Sequence, residues 1–312
     1  MIYLFLQTLT LLATIFAAKG TIKILLLWDF DKTTQTQYKL EHSSYLVMIV
    51  ITFITVIKIA MLPFFAFLTD QLSFIIPGAM CAAGVLEEFA YNHFLLSLKL
   101  SIIFLGGLWL LLNSHDLLEK NYPYMRLKSA LFLFVSLLIA LEYGFELFYL
   151  FSLSTQEPVS CCTDIFGAVG VSQSLPFGLN IQTLLVLFYA TFLLTLFSAF
   201  GKNGLLSFIT NIFFLMIAYY SLVHFFGTYI YQQPTHRCPF CMLQPEYYYV
   251  GYLLWGSLFA GVFSAVAAFI MGLIKTKNVN KLFYANIFFQ SLFALTCTYF
   301  VVSYYIINGV FL

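Results

Sequence analysis

Eight apolar runs, each about as long as a bilayer-spanning helix, constrain the fold of this chain more than any other feature. A transmembrane helix needs about 20 consecutive, mostly apolar residues. The runs cover residues 2–19, 45–68, 94–113, 128–152, 179–200, 206–230, 247–274 and 282–311. We therefore predict an all-α, polytopic membrane protein with eight spans, organised as a single domain over residues 1–312.

The composition excludes the soluble classes of protein. Of the 312 residues, 62% are hydrophobic and only 9% are charged, which is too little charge for a water-facing surface. Basic residues form no patch with interleaved aromatic residues, so we expect no nucleic-acid partner. The lipid bilayer is the partner that the composition does predict.

The distribution of basic residues predicts the orientation of the spans. Basic residues follow the first, third, fifth and seventh runs, namely Lys19, Lys23, Lys32, Lys39, Lys120, Arg126, Lys128, Lys202, Lys275, Lys277 and Lys281. The other three connections hold one basic residue, Arg237. Because basic connections stay in the cytoplasm, we predict a multi-pass protein of the cytoplasmic (inner) membrane with both termini extracytoplasmic. The first run lacks a basic segment before it and is interpreted as a retained span.

Five of the six cysteines fall in connections that this orientation places outside. They are Cys81 in the second connection, Cys161 and Cys162 in the fourth, and Cys238 and Cys241 in the sixth. We expect these three outer loops to form one extracytoplasmic thiol site. The sixth cysteine, Cys297, lies in the last run and is interpreted as an inert packing residue.

A Cys-x-x-Cys pair, Cys238 to Cys241, precedes an apolar helix predicted from about Tyr247 to Ile274. Amide groups at a helix start stabilise a thiolate, so this position favours redox or metal chemistry. The same helix has a small residue at every fourth position, which predicts a ridge for close packing by a neighbouring helix. The ridge consists of Gly256, Ala260, Ser264, Ala268 and Gly272.

The segment Cys238-Pro239-Phe240-Cys241-Met242-Leu243-Gln244, together with a second cysteine pair at Cys161 and Cys162, resembles the quinone-linked membrane disulfide oxidoreductases. That family includes the bacterial disulfide-bond oxidases and the vitamin K epoxide reductases. The resemblance implies thiol–disulfide exchange, with Cys238 and Cys241 facing a quinone. It implies that Cys161 or Cys162 shuttles the disulfide to an extracytoplasmic thiol protein.

Two other interpretations of the cysteines remain open. Thiolates and thioethers prefer Cu(I), and the outer connections supply Met80, Cys81, Cys161, Cys162, His236, Cys238, Cys241 and Met242 as candidate ligands. In that case the protein binds, transfers or transports copper, with a metal-carrier protein as partner. Alternatively, a disulfide between the fourth and sixth connections staples two loops of a structural or transport protein.

Four ionisable residues and His224 lie within the predicted spans, where a charge is costly unless it is paired. They are Lys58, Lys99, Glu142, Glu146 and His224. By depth, we expect Lys58 to meet Glu142 and Lys99 to meet Glu146, forming either two register-fixing ion pairs or a proton path. His224 is expected to be a packing residue, or alternatively a haem ligand together with His93.

Overall fold

The computed structural model describes residues 2–30, 34–87, 89–119, 121–153, 178–234, 236–276 and 279–312. Within these ranges the chain forms helices and no strand. The α-helices are α1 (Ile2–Leu27), α2 (Gln35–Leu72), α3 (Ala82–Glu87), α4 (Asn92–Asp116), α5 (Met125–Ser152), α6 (Ile181–Phe200), α7 (Gly204–Ser221), α8 (Gly227–Tyr231), α9 (Val250–Leu273) and α10 (Asn280–Asn308). A π-helical segment, Leu222–Phe226, joins α7 to α8.

Eight of the described helical stretches are long and apolar enough to cross a membrane, with Gly204–Tyr231 counted as one. The predicted all-α membrane architecture with eight spans is therefore confirmed. Two helix boundaries differ most from prediction. Helix α1 continues beyond residue 19 to Leu27, and α2 begins before residue 45, at Gln35. Hydropathy marks only the part of a helix in the hydrocarbon layer, whereas the hydrogen-bonded helix continues into the polar interface.

The chain divides into two compact units. Unit 1 comprises Met1–Leu68 and Glu87–Ser154, and unit 2 comprises Thr69–Leu86 and Thr155–Leu312. Unit 1 therefore contains α1, most of α2, α4 and α5, while unit 2 contains the end of α2, α3 and α6 to α10. The organisation of the chain as a single domain stays a prediction.

In unit 1, α5 packs against both α1 and α4. A buried ion pair fixes the junction of α4 and α5, since Lys128 Nζ lies 2.7 Å from Asp116 Oδ2 and donates to Asn113 Oδ1 at 2.9 Å. Trp109 Nε1 donates to the carbonyl of Lys128 at 2.9 Å. These contacts satisfy a lysine that is almost completely buried, 1% exposed, as an apolar core requires.

In unit 2, α9 packs against α7 and α10, and α6 packs against α7. Three buried amide side chains join α7 to α10, because Asn211 Oδ1 accepts hydrogen bonds from Asn286 Nδ2 and Gln290 Nε2, both at 2.8 Å. Asn286 Nδ2 also donates to the carbonyl of Gly261 in α9 at 2.8 Å. Amide pairs of this kind hold membrane helices together where apolar attraction between helices is weak.

The predicted small-residue ridge of α9 is only partly used for packing. A Cβ atom at Gly256 or Gly272 would meet no described heavy atom within 4 Å, whereas Ser264 and Ala268 are buried. The closest approaches occur instead at Gly251, against Met242, and at Gly261, against Gln290. A spacing of four drifts around a helix of 3.6 residues per turn, so the ridge leaves the contact face.

Candidate functional site

The Cys-x-x-Cys segment forms a compact loop ahead of α9. Cys241 begins a 3₁₀ turn, Cys241–Leu243, and α9 begins only at Val250. The pair therefore precedes the long helix, as the sequence predicts, and Cys241 lies outside the first turn of that helix. Between them lies a second 3₁₀ turn, Pro245–Tyr247. This turn is followed by two residues with positive φ, Tyr248 and Tyr249.

The loop nevertheless folds back onto the first turn of α9. Gly251 makes this approach possible, because a Cβ atom there would lie 2.6 Å from Met242 Cγ and 2.9 Å from the Met242 carbonyl carbon. Trp255 Nε1, one turn later, donates to the carbonyl of Pro239 at 3.1 Å. The start of α9 thus holds both ends of the cysteine loop.

Tyr231, the last residue of α8, holds the same loop from its other side. Its hydroxyl donates to the carbonyl of Cys238 and accepts from the backbone N–H of Met242 at 3.1 Å. Its ring packs edge-on against His236, with centroids 4.3 Å apart, and against Tyr247. One buried phenol therefore fixes the separation of the two ends of the Cys-x-x-Cys turn.

Gln244 connects the loop to the segment that carries Cys81. Its Nε2 donates to Asp70 Oδ1 at 2.9 Å and to the carbonyl of Met80 at 3.0 Å. Asp70 also accepts a backbone hydrogen bond from Ala82. The amide of Gln244 and the carboxylate of Asp70 therefore hydrogen-bond to the backbone on either side of Cys81, at Met80 and Ala82.

Three sulfur atoms meet as a result. The Sγ atoms of Cys81, Cys238 and Cys241 all lie within 4.8 Å of one another, and those of Cys81 and Cys238 are 3.5 Å apart. Cys81 is fully buried and Cys241 is 4% exposed, whereas Cys238 is half-buried. Among the described residues, no histidine nitrogen or carboxylate oxygen completes this group.

The other predicted ligands are placed differently. Cys161 and Cys162 lie outside the described residues. Met80 is 47% exposed, whereas Met242 is buried against Gly251. His236 is buried against the ring of Tyr231. Of the described candidate ligands, the three cysteines form one cluster, in which each sulfur lies within 4.8 Å of the other two.

Two residues predicted to lie within the spans are found there. Cys297 is fully buried in α10. His224 is buried in the π-helical segment, with its ring 6.3 Å from that of Tyr220. π-Helical turns inside helices are frequent at functional positions. Among the described residues, His224 belongs to no group of three or more metal-ligating side chains, and its pairing with His93 at a haem stays a prediction.

Unit 1 contains a second polar cluster, formed by the intramembrane charges. Lys58 Nζ lies 2.7 Å from Glu142 Oε2, and Lys99 Nζ lies 2.8 Å from Glu142 Oε1 and contacts Glu146 Oε1. Both pairings expected from depth, Lys58 with Glu142 and Lys99 with Glu146, are therefore present. The additional contact of Lys99 with Glu142 joins the two pairs into one network.

Helix α1 contributes two residues to this network that the sequence did not single out. Tyr3 donates its hydroxyl to Glu146 Oε1, and Gln7 Nε2 donates to the same oxygen at 2.9 Å. Gln7 Oε1 accepts from Lys58 Nζ at 2.6 Å. All six side chains are 9% exposed or less, so the network is a buried charge cluster with contributions from α1, α2, α4 and α5.

Comparison with known proteins gave no match. No family model, curated protein or solved structure is detectably similar to this chain. The likeness to the quinone-linked disulfide oxidoreductases therefore consists of the cysteine motifs alone, and what it implies stays a proposal.

Proposed function

We propose that this membrane protein binds Cu(I) through Cys81, Cys238 and Cys241. The observation that carries the proposal is the mutual approach of three sulfur atoms within 4.8 Å. A metal–sulfur distance of about 2.3 Å places the sulfurs of a trigonal site about 4.0 Å apart. The observed cluster therefore needs only small side-chain adjustments to close around one ion.

The ligand chemistry favours a soft monovalent ion over zinc. Thiolates select Cu(I), whereas a structural zinc site takes four ligands. Among the described residues the cluster offers three, without a histidine or carboxylate. Burial of Cys81 and Cys241 excludes water from two of the three donors, and half-buried Cys238 is the donor through which a carrier protein could deliver or remove the ion.

Competition with a chromophoric Cu(I) chelator tests this proposal on the purified, reduced full-length protein. We expect one Cu(I) per chain, and a loss of affinity of at least about tenfold in each of Cys81→Ser, Cys238→Ser and Cys241→Ser, since each removes a ligand. Cys297→Ser is the matched control, because Cys297 lies in α10 outside the cluster. Wild-type protein that does not compete with the chelator, or unchanged affinity in the three variants, would contradict copper binding.

Thiol–disulfide exchange is the second candidate, and the 3.5 Å separation of Cys81 Sγ and Cys238 Sγ favours it. In this reaction the thiolate of Cys81 attacks Cys238 of a Cys238–Cys241 disulfide, and Cys241 leaves as a thiolate. This exchange moves the disulfide to Cys81 and Cys238. A dithiol of an extracytoplasmic protein would then reduce that disulfide and become oxidised itself, and the restored Cys238–Cys241 dithiol would pass two electrons and two protons to a quinone, which becomes a quinol. Cys161 or Cys162 would pass the disulfide to an extracytoplasmic thiol protein.

Thiol exchange makes a separate prediction for variants of the cluster. A variant with both Cys81→Ser and Cys241→Ser should accumulate a mixed disulfide through Cys238, because the cluster then has no second thiol to resolve it; intact-mass measurement detects this after incubation with a small disulfide. The wild type should also change the ultraviolet absorbance of added quinone when a dithiol is supplied. If the wild type reduces no quinone, and copper binds as expected, metal handling alone is supported.

Both candidates place the thiol cluster outside the cytoplasm of a cell with an inner membrane. The proposal is supported by the basic residues after the first, third, fifth and seventh predicted spans and by the eight described helices that are long and apolar enough to cross a membrane. A soft-metal carrier or a thiol protein of the extracytoplasmic space is the partner that this orientation implies.

A further inference from the structure

We propose that Glu146 is a proton-binding site of unit 1, with Oε2 as the atom that receives the proton. This inference concerns the charge cluster of α1, α2, α4 and α5 and is independent of the thiol site. It rests on how the hydrogen bonds are divided between the two carboxylates.

Glu142 has both of its oxygens in ion pairs. Oε1 accepts from Lys99 at 2.8 Å and Oε2 accepts from Lys58 at 2.7 Å. A proton on either oxygen would break one of these contacts and leave a lysine charge poorly compensated, which is expensive in a buried site. Glu142 is therefore the fixed counter-charge of the cluster.

Glu146 has the opposite arrangement. The hydroxyl of Tyr3, Nε2 of Gln7 and Nζ of Lys99 all donate to Oε1. Oε2 is buried and has no hydrogen-bond partner among the described residues, and Glu146 as a whole is only 1% exposed. An acceptor in that condition is costly, and a proton on Oε2 removes its negative charge without breaking any contact of Oε1.

The titratable groups that face Glu146 explain why the proton would exchange. They are Tyr3 and Lys99 directly, with Glu142 and Lys58 one contact further. Two lysines and two carboxylates sum to zero charge, so a proton on Glu146 leaves one excess positive charge. A low-dielectric site tolerates an excess charge poorly. The bound proton therefore leaves Glu146 again, which restores the neutral cluster, and its binding is reversible.

The limited space in the charge cluster favours a proton over a larger ligand. Glu146 lies six residues before the end of α5 at Ser152, which is about 9 Å along the helix, and Tyr3 lies in the first turn of α1. Both groups are therefore within about two turns of a helix end. The cavity beside Lys58, Lys99 and Glu142 is about 10 Å³, room for about one water molecule, so no larger solute fits there.

Infrared difference spectroscopy of the purified full chain, compared between neutral and acidic buffer, tests this assignment. We expect acidification to produce a carboxylic-acid carbonyl band that exchanges slowly in D₂O, because the group is buried. The band should be absent from Glu146→Gln. It should be present in Glu41→Gln, a control that removes an exposed carboxylate of α2 and its fast-exchanging signal only.

Thermal unfolding of the same samples separates proton binding from a purely structural role. Glu146→Gln imitates the protonated state and should lower the melting temperature less than Glu142→Gln, because Glu142 pairs with both lysines and Glu146 only with Lys99. Glu146→Asp, which keeps an ionisable group, should shift the band rather than remove it. A wild type without the slowly exchanging band, a band that persists in Glu146→Gln, or an unshifted band in Glu146→Asp would each overturn the proposal.

Discussion

At the scale of single residues, the thiol cluster depends on side chains that carry no reactive group themselves. Gln244 is the clearest case, because its one amide nitrogen contacts both Asp70 and the carbonyl of Met80. Those contacts tie the Met80 backbone, next to Cys81, to the loop that carries Cys238 and Cys241. The amide therefore acts as a positioning residue for the third sulfur.

Gln244→Ala should weaken Cu(I) binding about tenfold, since two hydrogen bonds of about 1 kcal/mol each hold the Cys81 segment in place. It should also slow the formation of a Cys81–Cys238 cross-link by a mild oxidant. Chelator competition and peptide mass mapping measure the two effects. Gln233→Ala is the control, because Gln233 is an exposed glutamine of the preceding turn; equal effects in both variants would contradict a specific role for Gln244.

Tyr231→Phe should destabilise the cysteine loop by about 1–3 kcal/mol, because the Cys238 carbonyl and the Met242 N–H each lose a buried partner. Thermal unfolding of the purified protein measures the change. Tyr248→Phe is the matched substitution at a residue that is 92% exposed, and it should leave stability unchanged. If the two variants unfold at the same temperature, the bridging hydroxyl contributes nothing to the loop.

Some of these contacts could be predicted from the sequence and others could not, for physical reasons. Lys58 and Glu142 were predictable as partners because depth in the membrane fixes which charges can meet. For Cys81 and the Cys-x-x-Cys pair, the sequence predicted only that their connections lie on the same side of the membrane, not the contact between the sulfur atoms. The geometry of that contact depends on Gln244, whose hydrogen bonds reach segments far apart in sequence, and on Tyr231, which bridges the nearby cysteine loop. A single polar side chain in the sequence gives no signal of either partner.

At the scale of elements, α9 supports the thiol cluster through one glycine of its first turn. Gly251 admits the backbone of Met242, which a side chain would displace. Gly256 belongs to the small-residue pattern of the same helix but faces open space in the described structure. Periodicity predicted the existence of a close-packing face correctly and its position incorrectly, because the four-residue spacing cannot show which loop folds back onto the helix.

Gly251→Ala should therefore lower both the melting temperature and the affinity for Cu(I), because the added methyl group lies 2.6 Å from Met242 Cγ and overpacking costs about 1–3 kcal/mol. Gly256→Ala should be neutral or stabilise slightly, since alanine favours a helix by about 1 kcal/mol over glycine. Thermal unfolding and chelator competition on both variants test the comparison. The reverse order of stability would contradict the packing described at Gly251.

At the scale of the whole molecule, helices that cross a membrane place successive connections on alternate sides, and the described residues include eight helices long and apolar enough to do so. The connection after α6, between Phe200 and Gly204, contains Lys202, and the connection after α8 contains the Cys-x-x-Cys pair. One helical span, Gly204–Tyr231, separates them. Whichever orientation the protein adopts, Lys202 and Cys238 must therefore be reached from opposite sides.

Charge predicts which side each connection faces. Retention of basic connections in the cytoplasm places Lys202 inside and the thiol cluster outside, where a carrier or thiol partner reaches half-buried Cys238. In a background without native cysteines, an impermeant maleimide should label Gln233→Cys in intact cells and Lys202→Cys only after the membrane is opened. Alkaline phosphatase fused after Leu312 should be active, which checks the orientation in the native-cysteine protein. Labelling in the reverse order, with an inactive fusion, would place the cluster in the cytoplasm, where the copper or thiol partner would have to be a cytoplasmic protein.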